Sequence, residues 1–390
     1  MSPLTPAQRR YAVAIQYFLH FGVMGIFLPY FNLYCHEIGL SGSQIGILGG
    51  VRTAATVVFP LLWGLLADRY NLRRPLYILC TLAAAVIWAG FLGTLRFAPM
   101  AVLMGFYGLF YAPLISFLEA FAMEVLGAEK KRYGALRAWG TIGFIILALG
   151  LGPLMDPGSG KLVLVLILAG SACQALCALA LPPVVRVPGS VKGDAWQDYC
   201  NVPVAGFLTA AFLMLVSHGA YYNFFSIHLA ALGYSGAFIG AAWALAAGGE
   251  MVVMFLSARL FQYFRLDRIL LFSFGVAALR WIILAEVVHP AVLLASQLLH
   301  MVTYGTFHMA SILFIDGVSS GNNKTVGQAL NNALTYGLGL MVGFFGSGIL
   351  YQQAGPRVLF WASAGVALAA ALIFGVTQAR PRGRGCGLTK

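Results

Sequence analysis

Residues Ile38–Leu48 read IGLSGSQIGIL, and residues Leu232–Ala242 read LGYSGAFIGAA. Five identities keep one offset of 194: Gly39, Ser41, Gly42, Ile45 and Gly46 return as Gly233, Ser235, Gly236, Ile239 and Gly240. Each copy sits between two long apolar runs, so each reads as a tight turn between consecutive helices. Further fragments repeat at nearly the same distance. Tyr107–Tyr111 (YGLFY) answers Tyr304–His308 (YGTFH), and Glu119 answers Asp316. Leu136, Thr141 and Gly143 answer Leu330, Thr335 and Gly337. The chain is built from one unit written twice.

Composition says what the unit is made of. Of 390 residues, 60% are hydrophobic and 9% charged, where a soluble domain carries about 25% charged residues. That surface belongs in a bilayer, which a helix crosses with roughly 20 apolar residues. Runs of that kind fall at Tyr11–Cys35, Gln44–Ala67, Pro75–Leu95, Ala98–Val125, Gly134–Met155 and Leu162–Leu181. Six more follow at Val202–Leu229, Gly236–Leu260, Arg268–Val288, Ala291–Ile315, Val326–Tyr351 and Val358–Thr377. Barrel strands are excluded, because they alternate polar and apolar residues over about 10 positions. The expected fold is an all-α membrane protein with twelve transmembrane helices in two six-helix bundles. Because six is even, the copies share one orientation and are related by a pseudo-two-fold axis along the membrane normal. The expected divisions are residues 1–182, a cytoplasmic linker over 183–201, and residues 202–390 with a short basic tail.

The net charge of +12 does not point to nucleic acid, because of where it lies. Of 24 Lys and Arg, 18 fall at the termini or on alternate loops, and three (Arg96, Lys161, Arg357) on the opposite loops. This bias places both termini in the cytoplasm. The six cysteines form no metal-ligand spacing; Cys173 and Cys177 share a helix face with no His or acid following. Neither a Walker loop nor a nucleophile–His–acid arrangement is present, so the chain is expected to be no enzyme and to need no cofactor or metal.

The segment Gly64–Pro75, GLLADRYNLRRP, resembles the signature of the major facilitator superfamily between helices 2 and 3. Gly64, Asp68, Arg69, Arg73 and Arg74 match in type, while Asn71 replaces the usual glycine. The resemblance implies a conformational latch, in which Gly64 permits close helix approach and Asp68 needs a nearby cation. A worn second copy runs Ala258–Arg268, with Arg265, Asp267 and Arg268. Within the superfamily, YFLHFGVMGIFLPYFNLY, GLSGSQIGIL, RYGALRAWGTIGFI and LRWIIL look like the phenylpropionate-permease group, itself distantly similar to lactose-permease and nucleoside-proton symporters. That likeness implies secondary transport by proton-coupled uptake; two facing bundles suit alternating access, and the protein is expected to be a multi-pass monomer of the bacterial inner membrane.

Charges inside apolar spans cost about 2.5–3.5 kcal/mol each on insertion scales, so each calls for a reason. Glu119 and Arg137 belong to adjacent helices at similar depth and suit an ion pair or a substrate and proton site. Glu250, Arg280 and His308 form a second set on helices 8, 9 and 10, with Asp316 beyond. The expectation is that Arg137 or Arg280 holds a substrate carboxylate, and that Glu119 or Glu250 carries the proton with help from His308 and Asp316. Asn32, Trp139, Tyr304 and Asn331 are expected to touch substrate. Arg52, which suits an anion, and His20 are weaker candidates; His218, His228 and His300 read as packing. An aromatic carboxylate such as 3-phenylpropionate is the first expected substrate, with a sugar or nucleoside next. Proton-driven drug efflux is a rival, resting on the partial motif Gly150, Gly152 and Pro153. A transport-dead sensor or scaffold is the rival of another class.

Overall fold

A computed structural model describes residues 5–155, 160–181, 199–319 and 324–379. The linker expected over 183–201 lies mostly outside these, as does the basic tail. Among the described residues the regular structure is entirely helical. The helices are α1 (Pro6–Glu37), α2 (Gly42–Tyr70), α3 (Arg73–Gly93), α4 (Phe97–Leu126), α5 (Tyr133–Leu154) and α6 (Gly160–Ala178). They continue as α7 (Val202–Ala231), α8 (Gly236–Tyr263), α9 (Leu266–Glu286) and α10 (Pro290–Val318). The last apolar stretch, Val326–Ala379, is 54 residues long. It breaks at Gly355, whose φ of 76° no helix contains, with Pro356 following. Eleven apolar stretches therefore make twelve spans, with α11 over 324–354 and α12 over 356–379.

The repeated turn has a mechanical explanation. Gly39 and Gly233 both adopt left-handed backbone, with φ of 87° and 86°, a conformation that glycine takes without penalty. Behind them, Leu40 N donates to Cys35 O and Tyr234 N to Leu229 O, the same helix-ending bond in both copies. Ahead of them, Ser41 caps α2 by accepting from Gln44 N, and Ser235 caps α8 by accepting from Phe238 N. What recurs in the sequence is a stop signal joined to a start signal.

Two compact units emerge, Met1–Val187 with Phe224–Gly248, and Pro188–Asn223 with Gly249–Lys390. In the first unit, α1 and α5 cross at glycines. A Cβ on Gly143 would sit in the Phe18 backbone, and one on Gly25 in that of Phe144. The α7–α8 turn belongs to this unit. Gly236 lies against the Gly152 and Met155 carbonyls, and the Tyr30 hydroxyl donates toward Ala148 O (2.9 Å) and Gly236 O (3.2 Å). In the second unit, α7 and α11 repeat the crossing, with Gly219 and Gly343 backbone to backbone. Small residues at such crossings let helices approach where no hydrophobic effect drives them together.

Three helices carry π-helical stretches: Phe27–Phe31 in α1, Met301–Thr306 in α10 and Ala333–Gly339 in α11. In α1 the cause is Pro29, which has no N–H to give the regular ladder. Such bulges re-aim side chains and recur at functional sites.

Candidate functional site: two polar clusters inside the spans

In the second unit, Arg280 of α9 is fully buried and lies over the Tyr221 ring at 4.2 Å. Its Nη2 donates to Gln297 Oε1 (2.8 Å) and its Nη1 to His300 Nδ1 (2.8 Å). His300 Nε2 in turn lies 2.9 Å from Glu250 Oε1. A guanidinium can only donate, so Nδ1 must accept, and a neutral ring then carries its proton on Nε2. His300 thus donates to the Glu250 carboxylate. Burial grades along this chain, from fully buried Arg280 to a Glu250 side chain 32% exposed. The acid is the end that water or a ligand can reach. Tyr304 stacks on His300 with ring centroids 5.2 Å apart, and Trp281 lies beside the Arg280 guanidinium.

The imidazole in this cluster is His300, not His308. His308 lies two turns further along α10, where its Nδ1 pairs with the Tyr336 hydroxyl at 2.6 Å. A signal for this was available. Arg280 stands six residues before the end of α9, His300 ten after the start of α10, and His308 eighteen after it. Counting from the shared turn matches Arg280 with His300. Asp316 also lies away from the cluster, paired with Lys324 at 2.8 Å near the end of α10. Asn331 is fully buried; its Oδ1 accepts from Thr335, and its Nδ2 has no partner among the described residues.

In the first unit, the ion pair expected between Glu119 and Arg137 is not made. Glu119 is exposed, and Arg137 is half-buried with its guanidinium 3.9 Å above the Phe21 ring. Gly140, one turn along α5, has no side chain to displace either group. The ring face attracts the cation, and Glu119 keeps only a longer electrostatic hold on it. Arg52 of α2 is half-buried and lies over Phe27 at 4.5 Å. Between the two arginines on α1 is His20, within electrostatic reach of both. Beneath it, and reaching it through Gln174 Nε2 at 3.4 Å from His20 Nδ1, runs a polar set. Gln174 donates to Tyr77 (3.1 Å), Tyr77 donates to Gln16 (2.8 Å), and Gln16 donates to the Gln174 backbone carbonyl (3.1 Å). Nothing in the hydrophobic pattern announced that set. Trp139 is 47% exposed, and Asn32 is half-buried just after the π-stretch of α1.

The helix 2–3 loop supplies Asp68 with the cation it needs. Arg73 donates to Asp68 Oδ1 through Nε (2.9 Å) and Nη2 (2.6 Å), while Arg74 caps the Leu179 carbonyl (2.8 Å). Arg69 lies against the Tyr70 ring. Asn71, in the glycine's place, takes the left-handed conformation at φ 56°, which asparagine tolerates. Gly64 does not make the expected close approach, since a Cβ there would meet nothing within 4 Å.

Comparison with known proteins places this architecture. A family model described as the MFS_1 like family matches residues 11–362. The chain is 29% identical over 370 residues to a probable 3-phenylpropionic acid transporter of Escherichia coli (strain K12), covering 92% of this chain and 95% of that one. It is 29% identical over 289 residues to a maltose permease of Geobacillus stearothermophilus, covering 71% of each. Among solved structures, the nucleoside transporter NupG superposes with a TM-score of 0.85 at 19% identity, covering 95% of this chain and 99% of NupG.

Proposed function

The chain belongs to the MFS_1 like family and is a major facilitator transporter, not an enzyme; from that premise we propose that it takes up a small aromatic carboxylate together with a proton. One observation carries this reading. Away from helix ends, the spans of the first unit hold two arginines, Arg52 and Arg137, against one acid, Glu119, and neither arginine forms an ion pair among the described residues. An unbalanced cation in a bilayer is costly, and a monocarboxylate brings the missing negative charge. Arg137 attracts that carboxylate, with Trp139 and Asn32 of the same unit as candidate contacts to the solute.

Glu250 suits the proton step. It is half-exposed, and it is tied through His300 to a cation that cannot lose its own proton. Protonating Glu250 removes the charge that faces Arg280 yet leaves an oxygen to accept from His300. Glu119 is the second acid that suits proton transfer, while His308 and Asp316 stand apart in this structure. The likeness to the probable 3-phenylpropionic acid transporter of Escherichia coli supports the substrate class. Placement in the inner membrane with both termini in the cytoplasm, and action as a monomer by alternating access, complete the reading.

A nucleoside is the second reading, favoured by the rings of Tyr221, Tyr222, Tyr304 and Trp281 around the Arg280 chain. Proteoliposomes loaded with a pH dye separate the two. Offered aromatic acids, sugars and nucleosides in turn, the protein is expected to move protons inward with the acids. A monoanion travelling with one proton carries no net charge, so uptake should be nearly indifferent to voltage; each uncompensated charge would feel about 2.3 kcal/mol per 100 mV. Proton flux with nucleosides alone would reverse the choice.

A further inference from the structure

The arginines of the first unit differ in what surrounds them. Arg137 has Glu119 in electrostatic reach. Arg52 has no acid. Its guanidinium touches the Phe27 ring and, at 3.8 Å, the Met24 sulfur, a weak acceptor. No oxygen accepts from it among the described residues. Beside it stands a second unsatisfied donor. Tyr111 of α4 is 8% exposed, and its hydroxyl has no hydrogen-bond partner among the described residues.

The packing explains the pairing. Gly108 lets α4 press against α2 at Ala55 and the Arg52 backbone. Tyr107 and Tyr111, one turn apart and flanking Gly108, then lie within electrostatic reach of the guanidinium. Tyr107 stacks on Tyr111, and Tyr111 on His20, with centroids 4.8 and 5.0 Å apart. These rings hold Tyr111 where it is. A donor left without an acceptor is costly, and more so when it is charged. Two together, held by rings and glycine packing, make a receptor for an anionic oxygen.

We propose that Arg52 and Tyr111 form the carboxylate seat of the first unit: one carboxylate accepts from the Arg52 guanidinium and from the Tyr111 hydroxyl. This rests on the uptake reading above and assigns it a site that the charge count alone leaves open. Arg137 then draws the anion in, while Arg52 with Tyr111 holds it.

The test uses the full chain, purified, as wild type, Arg52→Gln, Arg52→Lys and Tyr111→Phe. The probes are 3-phenylpropionate and its neutral amide, with binding read by ligand-induced thermal shift and uptake read in proteoliposomes. Wild type is expected to bind the acid in preference to the amide. Tyr111→Phe should weaken the acid about tenfold or more, as loss of a hydrogen bond to a charged group does, and leave the amide unchanged. Arg52→Gln should abolish the preference for the acid, and Arg52→Lys should restore it in part. Acid binding at wild-type strength in both Tyr111→Phe and Arg52→Lys overturns the seat and leaves carboxylate uptake standing. A wild type that does not distinguish acid from amide overturns both. If Arg52→Gln does not fold, the other two variants decide.

Discussion

His300 accepts a hydrogen bond from Arg280 at Nδ1, 2.8 Å away, and thereby fixes its own proton on Nε2, facing Glu250. The buried cation and the half-exposed acid are coupled without touching. A direct Arg–Glu pair would hold the carboxylate charged more strongly; an imidazole between them softens that hold.

Glu250→Gln keeps an acceptor for His300 and removes the titrating group. Uptake driven by a pH gradient should be lost while exchange of labelled for unlabelled solute persists, both measured in proteoliposomes. Intact pH-driven accumulation in both Glu250→Gln and Glu119→Gln would remove these acids from the proton step. His300→Ala leaves Arg280 short of an acceptor and should cost about 1–3 kcal/mol of stability, seen as a lower Tm.

Gly343→Val should be strongly destabilising. Its Cβ would fall 2.6 Å from the Val216 carbonyl oxygen, and backbone cannot rotate away. Overpacking costs about 1–3 kcal/mol where side chains can adjust, so the loss here should reach the top of that range. Gly346→Ala, where nothing lies within 4 Å, should leave Tm unchanged or slightly raised. Equal effects at the two sites would contradict the α7–α11 crossing.

Asp68→Asn breaks the pair with Arg73, whose acid is 56% exposed. Exposed pairs contribute about 0–1 kcal/mol, so Tm should barely move. A latch predicts a different signature, a fall in transport rate at unchanged Tm. A rate equal to wild type would reduce the motif to surface charge.

Glu129, in the loop before α5, accepts from Arg10 at the start of α1, and that bond holds its carboxyl below the ordinary carboxylate range. A depressed folded value contributes stability that is complete above the unfolded value, about 4.3 for glutamate, and is lost as pH falls through the folded one. The Tm difference between wild type and Glu129→Gln should therefore hold steady above about pH 5 and close as acid is added. A difference that widens in acid would show the bond to be irrelevant.

The twelve spans, the doubled unit and the α1–α2 and α7–α8 turns were legible in the chain itself. A bilayer fixes how long each apolar run must be, and Gly39 with Ser41, or Gly233 with Ser235, encodes its turn within a few residues of backbone. The charges were legible as well, because Arg52, Glu119, Arg137, Glu250 and Arg280 stand out in apolar surroundings. Their partners were not. Whether Arg280 meets His300 or His308 depends on depth counted from a shared turn. Whether Arg137 meets Glu119 or Phe21 depends on the space that Gly140 leaves. Tyr111 comes within reach of Arg52 where Gly108 lets α4 close on α2. Span and turn are local properties set by solvent and backbone; which donor finds which acceptor is decided by helix register and close packing, which no single helix contains.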